Sequence, residues 1–417
     1  MFKKRFHVVD ADKTAVVGQR QPIFDLRPPL PEARQPIQPT GPLAGRPLLE
    51  HIVLRAKEAG IDRFVLVVGY AAGSVRDHFQ DGRRLGVKID YAIQAEQLGT
   101  AHALMAAESL ASEQFIVLNG DVIPDIDALK ELAKKEMAVS AFRVDDPRRY
   151  GVFLLQNGIF QSVVEKSDNP PSNLANAGIY LFKRWIFDEL RALPRSSRGE
   201  YELTDGLNRA AKREAVEIVE LKRWLEIGRP WDILEANAAL LPEVEPRILG
   251  EVEAGATLKG RVSIGKGTVV RSGSYIVGPV LIGQDSDIGP NCYIRPACCI
   301  GDNVRIGNAV EIKNSAIMNG SKIGHLSYVG DSVIGEGCNL GAGTICSNLR
   351  HDKGSIKSYL KGEKTDSGRR KLGVIMGHEV MTGINTSIYP GTVIEPSYWG
   401  RPAEVIRGHC SSERAFK

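Results

Sequence analysis

The sequence has no apolar run of about 18 residues, no signal peptide and no C-x-x-C pair. A membrane-spanning helix needs about 20 apolar residues, so the lack of a long apolar run excludes such a helix. All six cysteines lie at or beyond Cys292, and this distribution argues against a disulfide framework or a zinc site. We therefore expect a cytoplasmic protein that does not bind a membrane.

A strong excess of charge of either sign is also absent. The net charge of +4 is too small to indicate nucleic-acid binding by itself. The hydrophobic fraction of 43% and the charged fraction of 25% are typical of a globular protein, and 417 residues suffice for two domains. We expect small-molecule substrates and no nucleic acid.

Residues 46–240 alternate between helical and strand patterns. Apolar residues at helical spacing in "PLLEHIVLRAKEAGI" precede the β-branched run "RFVLVVGY", and "HALMAAESLA" precedes the apolar run "QFIVLNGD". This alternation predicts a parallel α/β sheet, in which ligands bind beyond the carboxyl ends of the strands. Asp121 closes the second run, so we expect it to lie at a ligand site.

Beyond residue 248 the pattern changes to a period of six residues. Ten aliphatic residues recur in phase: Leu258, Ile264, Val270, Ile276, Ile282, Ile288, Ile294, Ile300, Ile306 and Ile312. This period is typical of a hexapeptide β-helix, in which three repeats form one triangular coil with the branched residue inside. We predict a β-helix over residues 248–400 and a C-terminal tail over 401–417.

The basic segment 348–372 interrupts this period. It carries eight Lys and Arg residues against three Asp and Glu residues. Such a segment is either a solvated loop or a binding site for a phosphorylated cofactor, since arginine and lysine suit phosphate oxygens. For the second case we expect Arg369, Arg370 and Lys371 to contact the phosphates of coenzyme A.

Ordered motifs over residues 45–395 resemble those of the bifunctional GlmU-type enzymes, in which an N-acetylglucosamine-1-phosphate uridylyltransferase is fused to a glucosamine-1-phosphate N-acetyltransferase. These motifs include "QAEQLGTAHAL", "VVEKSDNPPSNLANAGIY", "WLEIGRPWDILEAN", "VEIKNS", "GHLSYVGDS" and "CNLGAGTICSN". "SGRRKLGVIMG" and "TGINTSIYPG" resemble the archaeal sugar-1-phosphate nucleotidylyltransferase/acetyltransferase branch. The resemblance implies a Rossmann-like nucleotidyltransferase domain followed by a left-handed parallel β-helix. It also implies a homotrimer, because the family builds its acetyltransferase cleft between neighbouring β-helices.

The resemblance implies that His325, in "GHLSYVGDS", is the general base of acetyl transfer from acetyl-CoA. A neutral imidazole can accept the proton of an amine as the amine attacks a thioester. By the same resemblance, Arg295 and Lys313 hold the sugar phosphate, Tyr328 and Asn339 contact the sugar, and Ala342 and Asn348 lie near the acetyl-CoA thioester. A backbone N–H, here that of Ala342, is a common donor to a developing oxyanion.

A zinc site of the kind found in β-helical carbonic anhydrases is an alternative for His325. It requires three convergent histidines, and the other candidates are His351 and His378. The three are about 26 residues apart, and His351 falls in the basic segment, so the sequence favours the acetyltransferase interpretation.

For the α/β half, the resemblance implies uridylyl transfer from UTP with Mg²⁺, although dTTP is not excluded. It assigns Gln94, Gly99 and Thr100 to the pyrimidine base, Asp121 and Glu226 to the metal, and Gly151, Glu165 and Asn176 to the sugar. Glu226 departs from the aspartate that related enzymes carry. Its extra methylene changes the reach of this carboxylate.

Residues 1–45 depart from the family, which begins with a strand, a G-x-G-T-R-x-x-P loop and a P-K-P lysine. Gly18-Gln19-Arg20 resembles a remnant of this loop, and Gln35 stands where the lysine is expected. Eight of the 22 prolines lie within residues 1–47, a composition that disfavours a buried first strand. We expect an atypical, degenerate nucleotide-binding segment and impaired uridylyl transfer; a shifted reading frame upstream of Leu43 would also explain the pattern.

Three function classes follow. The chain is a bifunctional enzyme, an acetyltransferase with a scaffold domain, or a non-catalytic regulatory subunit. The complete set of residues around His325 argues against the third class. The choice between glucosamine and galactosamine substrates stays open.

Overall fold

The structure is a computed structural model, and it describes residues 14–18, 43–69 and 72–411. These residues divide into two compact units. The first comprises residues 14–18 and 48–226, and the second comprises 43–47 and 227–411. In the described ranges, no helix has both the length and the apolar character that a membrane crossing requires.

The first unit is a mixed β-sheet with helices packed against it. Its strands are β1 (Thr14–Gly18), β2 (Arg63–Val68), β3 (Lys88–Ile93), β4 (Gln114–Asn119), β5 (Val122–Ile123), β6 (Ala138–Arg143), β7 (Gly151–Gln156), β8 (Ile159–Glu165), β9 (Leu174–Lys183), β10 (Glu217–Glu220) and β11 (Leu225–Glu226). Its helices are α1 (Leu48–Glu58), α2 (Ala72–Phe79), α3 (Thr100–Ala106), α4 (Ile126–Leu132), α5 (Ile186–Arg191) and α6 (Leu203–Arg213). Short 3₁₀ turns occupy Arg83–Leu85, Glu108–Leu110 and Pro147–Arg149.

The main sheet has the strand order β10-β6-β9-β4-β1-β2-β3. The helices and strands predicted from the alternating pattern are present, and β3, β2, β1 and β4 are parallel as expected. The long strand β9 departs from the parallel prediction, because it pairs antiparallel with both β4 and β6. The hairpin of β7 and β8 joins the sheet through β9.

The first strand corrects the expectation drawn from proline content. Strand β1 is central and buried, and its Val16 is opposite Val65 of β2 on one side and Val117 of β4 on the other. All the prolines of the N-terminal segment come after this strand, starting at Pro22, so they do not interrupt it. The other residues singled out there, including Gln19, Arg20 and Gln35, lie outside the described part of the chain.

The second unit is a parallel β-helix with one packed helix, α7 (Asp232–Leu240), followed by a 3₁₀ turn at Leu241–Glu243. Its first face contains β12 (Glu251–Val252), β15 (Val269–Val270), β18 (Asp287–Ile288), β21 (Arg305–Asn308), β24 (Lys322–His325) and β27 (Asn339–Leu340). Its second face contains β13 (Thr257–Lys259), β16 (Tyr275–Val277), β19 (Tyr293–Ile294), β22 (Glu311–Lys313), β25 (Tyr328–Gly330), β28 (Ile345–Cys346), β32 (Ser387–Ile388) and β34 (Val405–Ile406). Its third face contains β14 (Val262–Ile264), β17 (Val280–Ile282), β20 (Cys298–Ile300), β23 (Ala316–Ile317), β26 (Val333–Ile334), β31 (Ile375–Met376), β33 (Val393–Ile394) and β35 (His409–Cys410).

The six-residue period is explained by this core. The in-phase residues from Ile264 to Ile312 are buried and stack in register from coil to coil, as Ile264, Ile282 and Ile300 do on the third face. Fully burying one such side chain contributes about 1.5–3 kcal/mol. After Ile300 the register partner is Ile317, and after that Ile334, so these coils are one residue shorter.

Both shortened coils lack a residue at the same turn. We define the second corner as the turn from the second face to the third. The core residues flanking it are Ile312 and Ile317 in one coil and Val329 and Ile334 in the next, a step of five residues instead of six. The shortened turns therefore fall directly after Lys313 and Gly330.

The basic segment leaves the β-helix at the second corner as well. It forms a hairpin of β29 (Lys357–Leu360) and β30 (Glu363–Asp366), and its ends meet at a bridge between Leu349 and Lys371. Ile356 and Ser358 are buried, so the segment is partly packed. Beyond it the coils continue through β35, so the β-helix extends past residue 400.

Candidate functional site

A cavity of about 500 Å³ lies in the first unit at the carboxyl ends of β1 and β4. Gly18 and Asn119, the last residues of these two strands, both line it. This volume is in the range of small-molecule sites. Seven residues predicted for nucleotidyl transfer line the cavity: Gln94, Gly99, Thr100, Gly151, Glu165, Asn176 and Glu226.

The loop assigned to the pyrimidine base is held by several hydrogen bonds. The buried Gln94 donates from Nε2 to the Gly99 carbonyl at 3.1 Å and lies 3.2 Å from Nδ1 of His102. The Thr100 hydroxyl oxygen accepts a hydrogen bond from the backbone of Leu203. Gly99 has a φ of 110°, and a Cβ there would lie 2.5 Å from the Tyr201 carbonyl oxygen, so only glycine fits.

The two residues assigned to the metal lie on or beside a short antiparallel ladder. Asp121 directly precedes β5, and β5 pairs with β11 so that Val122 is opposite Glu226. Asp121 is buried, and Glu226 lines the cavity. Mg²⁺ is usually held by one or two carboxylates together with substrate phosphates. This donor pair fits such an ion, although the described residues contain no group of three or more His, Cys, Asp or Glu side chains suited to a metal.

The residues assigned to the sugar form one wall of the cavity. Gly151 and Glu165 are register partners on β7 and β8, and a Cβ at Gly151 would lie 2.8 Å from Oε1 of Glu165. Asn176 donates from Nδ2 to the Tyr180 hydroxyl at 2.8 Å and accepts from the Gly178 N–H at 3.2 Å. The hairpin and β9 therefore orient a carboxylate and an amide toward the same cavity.

Sequence reasoning missed several residues of this cavity. Arg149, Lys166 and Arg198 add cationic side chains to the lining, and Trp224 adds an aromatic ring 5.2 Å from that of Tyr150. Lys166 directly follows Glu165 in a motif that the sequence analysis had used. Glu165 and Lys166 are adjacent charged residues at the end of a strand, and this feature of the sequence could have indicated a role for Lys166.

In the second unit, two ion pairs connect neighbouring coils near the second corner. Arg295 donates from Nη1 to Oε1 of Glu311 at 2.9 Å, and Lys313 donates from Nζ to Oδ2 of Asp331 at 2.8 Å. The hydrogen bond to Glu311 raises the pKa of Arg295. Each cation is thus held by a carboxylate of the following coil.

Asp331 joins three coils and was missed by sequence reasoning. Besides Lys313, its carboxylate accepts hydrogen bonds from the side-chain amides of Asn314 and Asn348. Asn348 also donates to the Tyr328 hydroxyl at 3.1 Å. Burial, reinforced by the charge of Asp331, raises the pKa of Tyr328.

Gly330 makes this arrangement possible. A Cβ at this position would lie 2.4 Å from the Tyr328 hydroxyl and 2.6 Å from Nδ2 of Asn348. Any other residue would therefore displace both groups. Four of the predicted residues, Arg295, Lys313, Tyr328 and Asn348, are brought together at or beside this corner.

The other predicted acetyltransferase residues lie on or just after the first face. His325 ends β24 and is opposite Asn308 of the preceding coil, and its side chain is exposed. Its carbonyl accepts the Gly343 N–H at 3.2 Å, which places Ala342 beside it in the next coil. Asn339 starts β27 and is exposed. His325 and Tyr328 stand at the two ends of a single turn between the first and second faces.

The basic residues 369–371 return to the same region. The Leu372 N–H donates to the Asn348 carbonyl at 3.1 Å, and Arg370 and Lys371 are exposed. Arg369 is half-buried, and Nε donates to the Lys371 carbonyl at 3.4 Å.

The histidines of the zinc alternative have different surroundings. His351 is exposed in the basic segment, whereas Nδ1 of His378 accepts the Glu336 N–H at 2.9 Å. His325 lies on β24.

Comparison with known proteins identifies the family. Residues 31–243 match the nucleotidyl transferase family, and residues 276–397 match the GMPPB C-terminal domain. The chain is 41% identical over 374 residues to the bifunctional protein GlmU of Methanocaldococcus jannaschii, covering 89% of each chain. The chain belongs to the GlmU family.

Other members of the GlmU family are similar over the same extent. A bifunctional sugar-1-phosphate nucleotidylyltransferase/acetyltransferase of Sulfurisphaera tokodaii is 39% identical over 359 residues, which cover 85% of this chain and 88% of the relative. The GlmU protein of Marinobacter nauticus is 29% identical over 437 residues, covering 90% of each chain. The chain is therefore a bifunctional enzyme of the GlmU type, a nucleotidyltransferase joined to an acetyltransferase, and the regulatory-subunit alternative is set aside.

Proposed function

We propose that residues 248–400 transfer an acetyl group from acetyl-CoA to an amino-sugar 1-phosphate, and that residues 46–240 transfer a uridylyl group from UTP to the N-acetylated product. Glucosamine 1-phosphate is the acceptor we test first, with galactosamine 1-phosphate as the alternative. The observation that carries the proposal is the cluster at the second corner. Arg295, Lys313, Tyr328 and Asn348 lie there on successive coils, and each takes part in a side-chain hydrogen bond between coils. This cluster offers cations for a phosphate and polar groups for a sugar.

The phosphate end of the substrate is assigned to the two ion pairs. Arg295 and Lys313 lie on successive coils, and each is held by a carboxylate. Arginine binds phosphate oxygens through two parallel N–H groups, and lysine supplies a point charge. Held in this way, the two cations lose little side-chain freedom when a phosphate binds.

The chemical step is assigned to His325. The amine nitrogen of the sugar attacks the thioester carbonyl carbon, the carbon–sulfur bond breaks, and the amine proton passes to the imidazole. The exposed position of His325, one turn before Tyr328, leaves its ring accessible to a substrate held at Tyr328. The backbone N–H of Ala342, in the next coil, would stabilise the negative charge on the thioester oxygen.

We assign the binding of the coenzyme A phosphates to the basic segment. Its residues Arg369, Arg370 and Lys371 adjoin Asn348 through the bond from Leu372 to the Asn348 carbonyl. Three cations at one place suit the phosphates of coenzyme A. Of the two possibilities left by the sequence, we propose a binding role for this end of the segment.

In the first unit, Asp121 and Glu226 would hold Mg²⁺ beside the cavity, and the ion would neutralise charge on the triphosphate when bound. Gln94 and the Gly99-Thr100 turn would contact the pyrimidine base, and Glu165 and Asn176 would contact the sugar. The same cavity would accept dTTP, since thymine presents the same hydrogen-bonding edge as uracil.

We further propose that uridylyl transfer is slow in this chain. Strand β1 is present and Gly18 lines the cavity, so the start of the phosphate loop is retained. However, the first glycine of G-x-G-T-R is missing, and Gln35 offers no positive charge. Preorganised charge at a transferring phosphoryl group commonly supplies several kcal/mol of barrier reduction.

We also propose that the active form is a homotrimer. Exposed apolar side chains lie in the last coils, including Ile345, Ile384, Trp399 and Val405. Apolar surface of this kind is characteristic of an interface, and threefold symmetry would make three equivalent interfaces.

One experiment tests both halves. Purified protein is incubated with glucosamine 1-phosphate and acetyl-CoA, and thiol release is followed; separately, pyrophosphate release is followed with UTP and N-acetylglucosamine 1-phosphate. We expect ready thiol release and slow pyrophosphate release. Absence of thiol release with either amino-sugar 1-phosphate would overturn the assignment of the second unit.

A further inference from the structure

We propose that Asp331 is a positioning residue of the acetyltransferase, which fixes Lys313 and Asn348 relative to each other. This inference rests on the proposed acetyl-transfer function. Asp331 is 3% exposed, and its carboxylate accepts three side-chain hydrogen bonds, from Lys313, Asn314 and Asn348. The donors come from the coil before it and the coil after it.

The charge of Asp331 has a physical consequence for Lys313. A buried carboxylate is tolerated only when it is paired and hydrogen-bonded, and here it is. A lysine side chain has four flexible carbons and about 2 kcal/mol of rotamer entropy, so an unpaired ammonium would occupy many positions. Pairing with Asp331 confines the Lys313 ammonium to one place on the second corner, where we assign the substrate phosphate.

Asn348 is fixed by the same carboxylate. Its Nδ2 contacts both Asp331 and the Tyr328 hydroxyl, so one amide connects the proposed phosphate end of the site to its proposed sugar end. Asn348 also begins the basic segment, whose far end returns through Leu372 to the Asn348 carbonyl. Asp331 thereby orients groups assigned to both substrates.

The backbone shape of the corner does not explain why this residue is charged. Asp331 has a φ of 50°, in the left-handed region that asparagine also adopts readily. Its own N–H donates to the Lys313 carbonyl, and its carbonyl accepts the Gly373 N–H, so neither backbone bond uses the carboxylate. Asparagine would therefore maintain the turn, and the carboxylate is needed for the donors that surround it.

The test compares Asp331→Asn with a matched aspartate on the same β-helix. Asp302 is the control, because its side chain also connects two coils but lies away from the second corner. Its Oδ1 accepts the Gln284 N–H at 2.7 Å. Acetyl transfer to glucosamine 1-phosphate is measured, together with thermal unfolding. We expect Asp331→Asn to lower kcat/KM for the sugar phosphate at least about tenfold. The melting temperature should fall by no more than about 10 °C, because losing the charge weakens the hydrogen bonds of only one side chain in a domain of this size. Asp302→Asn should leave kcat/KM unchanged.

A double-mutant cycle with Lys313→Met separates positioning from general stabilisation. If Asp331 acts through Lys313, Asp331→Asn should add less than about threefold in the Lys313→Met background, because the effects of coupled residues do not add. Independent, multiplicative losses would overturn the inference, as would an equal loss in Asp302→Asn.

The two hypotheses fail in different ways. If Lys313→Met leaves kcat/KM for the sugar phosphate unchanged, the proposed phosphate site is wrong and the inference falls with it. If Lys313→Met is impaired and Asp331→Asn is not, the proposed function stands and the role of Asp331 alone is refuted.

Discussion

The ammonium of Lys313 lies 2.8 Å from Oδ2 of Asp331, although the two residues belong to successive coils of the β-helix. The shortened turns that follow Lys313 and Gly330 stack these coils so that one carboxylate reaches donors on both sides. Around this pair the chain places the other residues that we assign to acetyl transfer. The predictions below test those assignments separately.

His325→Ala should lower kcat for acetyl transfer by roughly 10²–10⁴, the range for losing a general base. The His325 side chain is exposed, so folding should be unaffected. His351→Ala is the matched control, since His351 is also exposed in the same unit. Near-normal turnover in His325→Ala, measured by thiol release, would remove this residue from the mechanism.

Reversing the charge of Arg369 and Arg370 together should raise KM for acetyl-CoA about tenfold or more, with a much smaller effect on KM for the sugar phosphate. The physical reason is the loss of charge-assisted bonds to the coenzyme phosphates. Lys361→Glu with Lys364→Glu changes the charge equally at the exposed tip of the hairpin and serves as the control. Equal KM changes for both substrates would identify the segment as a solvated loop.

Light scattering should give three times the chain mass of 45.5 kDa at micromolar concentration. Because the GlmU resemblance implies an acetyltransferase cleft between neighbouring β-helices, specific acetyltransferase activity should also fall on dilution below the trimer's dissociation range. A stable monomer with full activity would contradict the homotrimer.

Lowering the pH should reduce the folding stability of the first unit, because Glu50 becomes protonated. Burial opposes the charge of this carboxylate, but hydrogen bonds from Arg84 and His78 outweigh it and hold the pKa of Glu50 below its ordinary value of 4.5. A lowered folded pKa contributes stability above pH 4.5 that is lost as the pH falls through the folded value.

We therefore expect Glu50→Gln to cost about 1–3 kcal/mol at pH 7. The gap in melting temperature between this variant and the parent should narrow as the pH falls below 4.5. Asp81→Asn, which breaks the exposed pair with Arg83, should change little. A gap for Glu50→Gln that is constant from pH 7 to pH 3 would show that its pairing does not depend on ionisation.

Uridylyl transfer should be slower than in intact family members by on the order of a thousandfold, since each 1.36 kcal/mol of lost stabilisation is about tenfold in rate. Gln35→Lys should raise the rate of pyrophosphate release by restoring a positive charge. Asp121→Asn should abolish what remains, whereas Asp125→Asn, which alters only the N-cap of α4, should not. A parent rate typical of the family would show that residues 1–45 hold the triphosphate in another way.

Much of the β-helix could be predicted because one physical cause governs it. An inward-facing aliphatic residue recurs every six residues from Leu258 to Ile312, and it is buried from Ile264 onward. The phase is lost beyond Ile312, where turns of five residues replace turns of six. A periodic pattern cannot locate such a deletion, and the deletions occur where the corner cluster is built.

Residues whose role depends on distant partners could not be predicted. Asp331 lies in a motif that sequence reasoning used for His325, but its significance comes from Lys313 and Asn348, each 17 or 18 residues away. Strand β1 was misjudged for a different reason, since proline content was averaged over a segment in which the strand precedes every proline. The short apolar run Thr14–Gly18 is itself enough to form a strand, whatever the composition of the residues that follow it.

The most direct measurement is mass spectrometry of the sugar phosphate after incubation with acetyl-CoA and no UTP. We predict that glucosamine 1-phosphate gains one acetyl group in proportion to the thiol released. Product formation should fall by roughly 10²–10⁴ in His325→Ala and stay unchanged in Asp121→Asn. Thiol release without an acetylated sugar phosphate, or an acetylated product that depends on Asp121 and not on His325, would contradict the assignment of acetyl transfer to the β-helix.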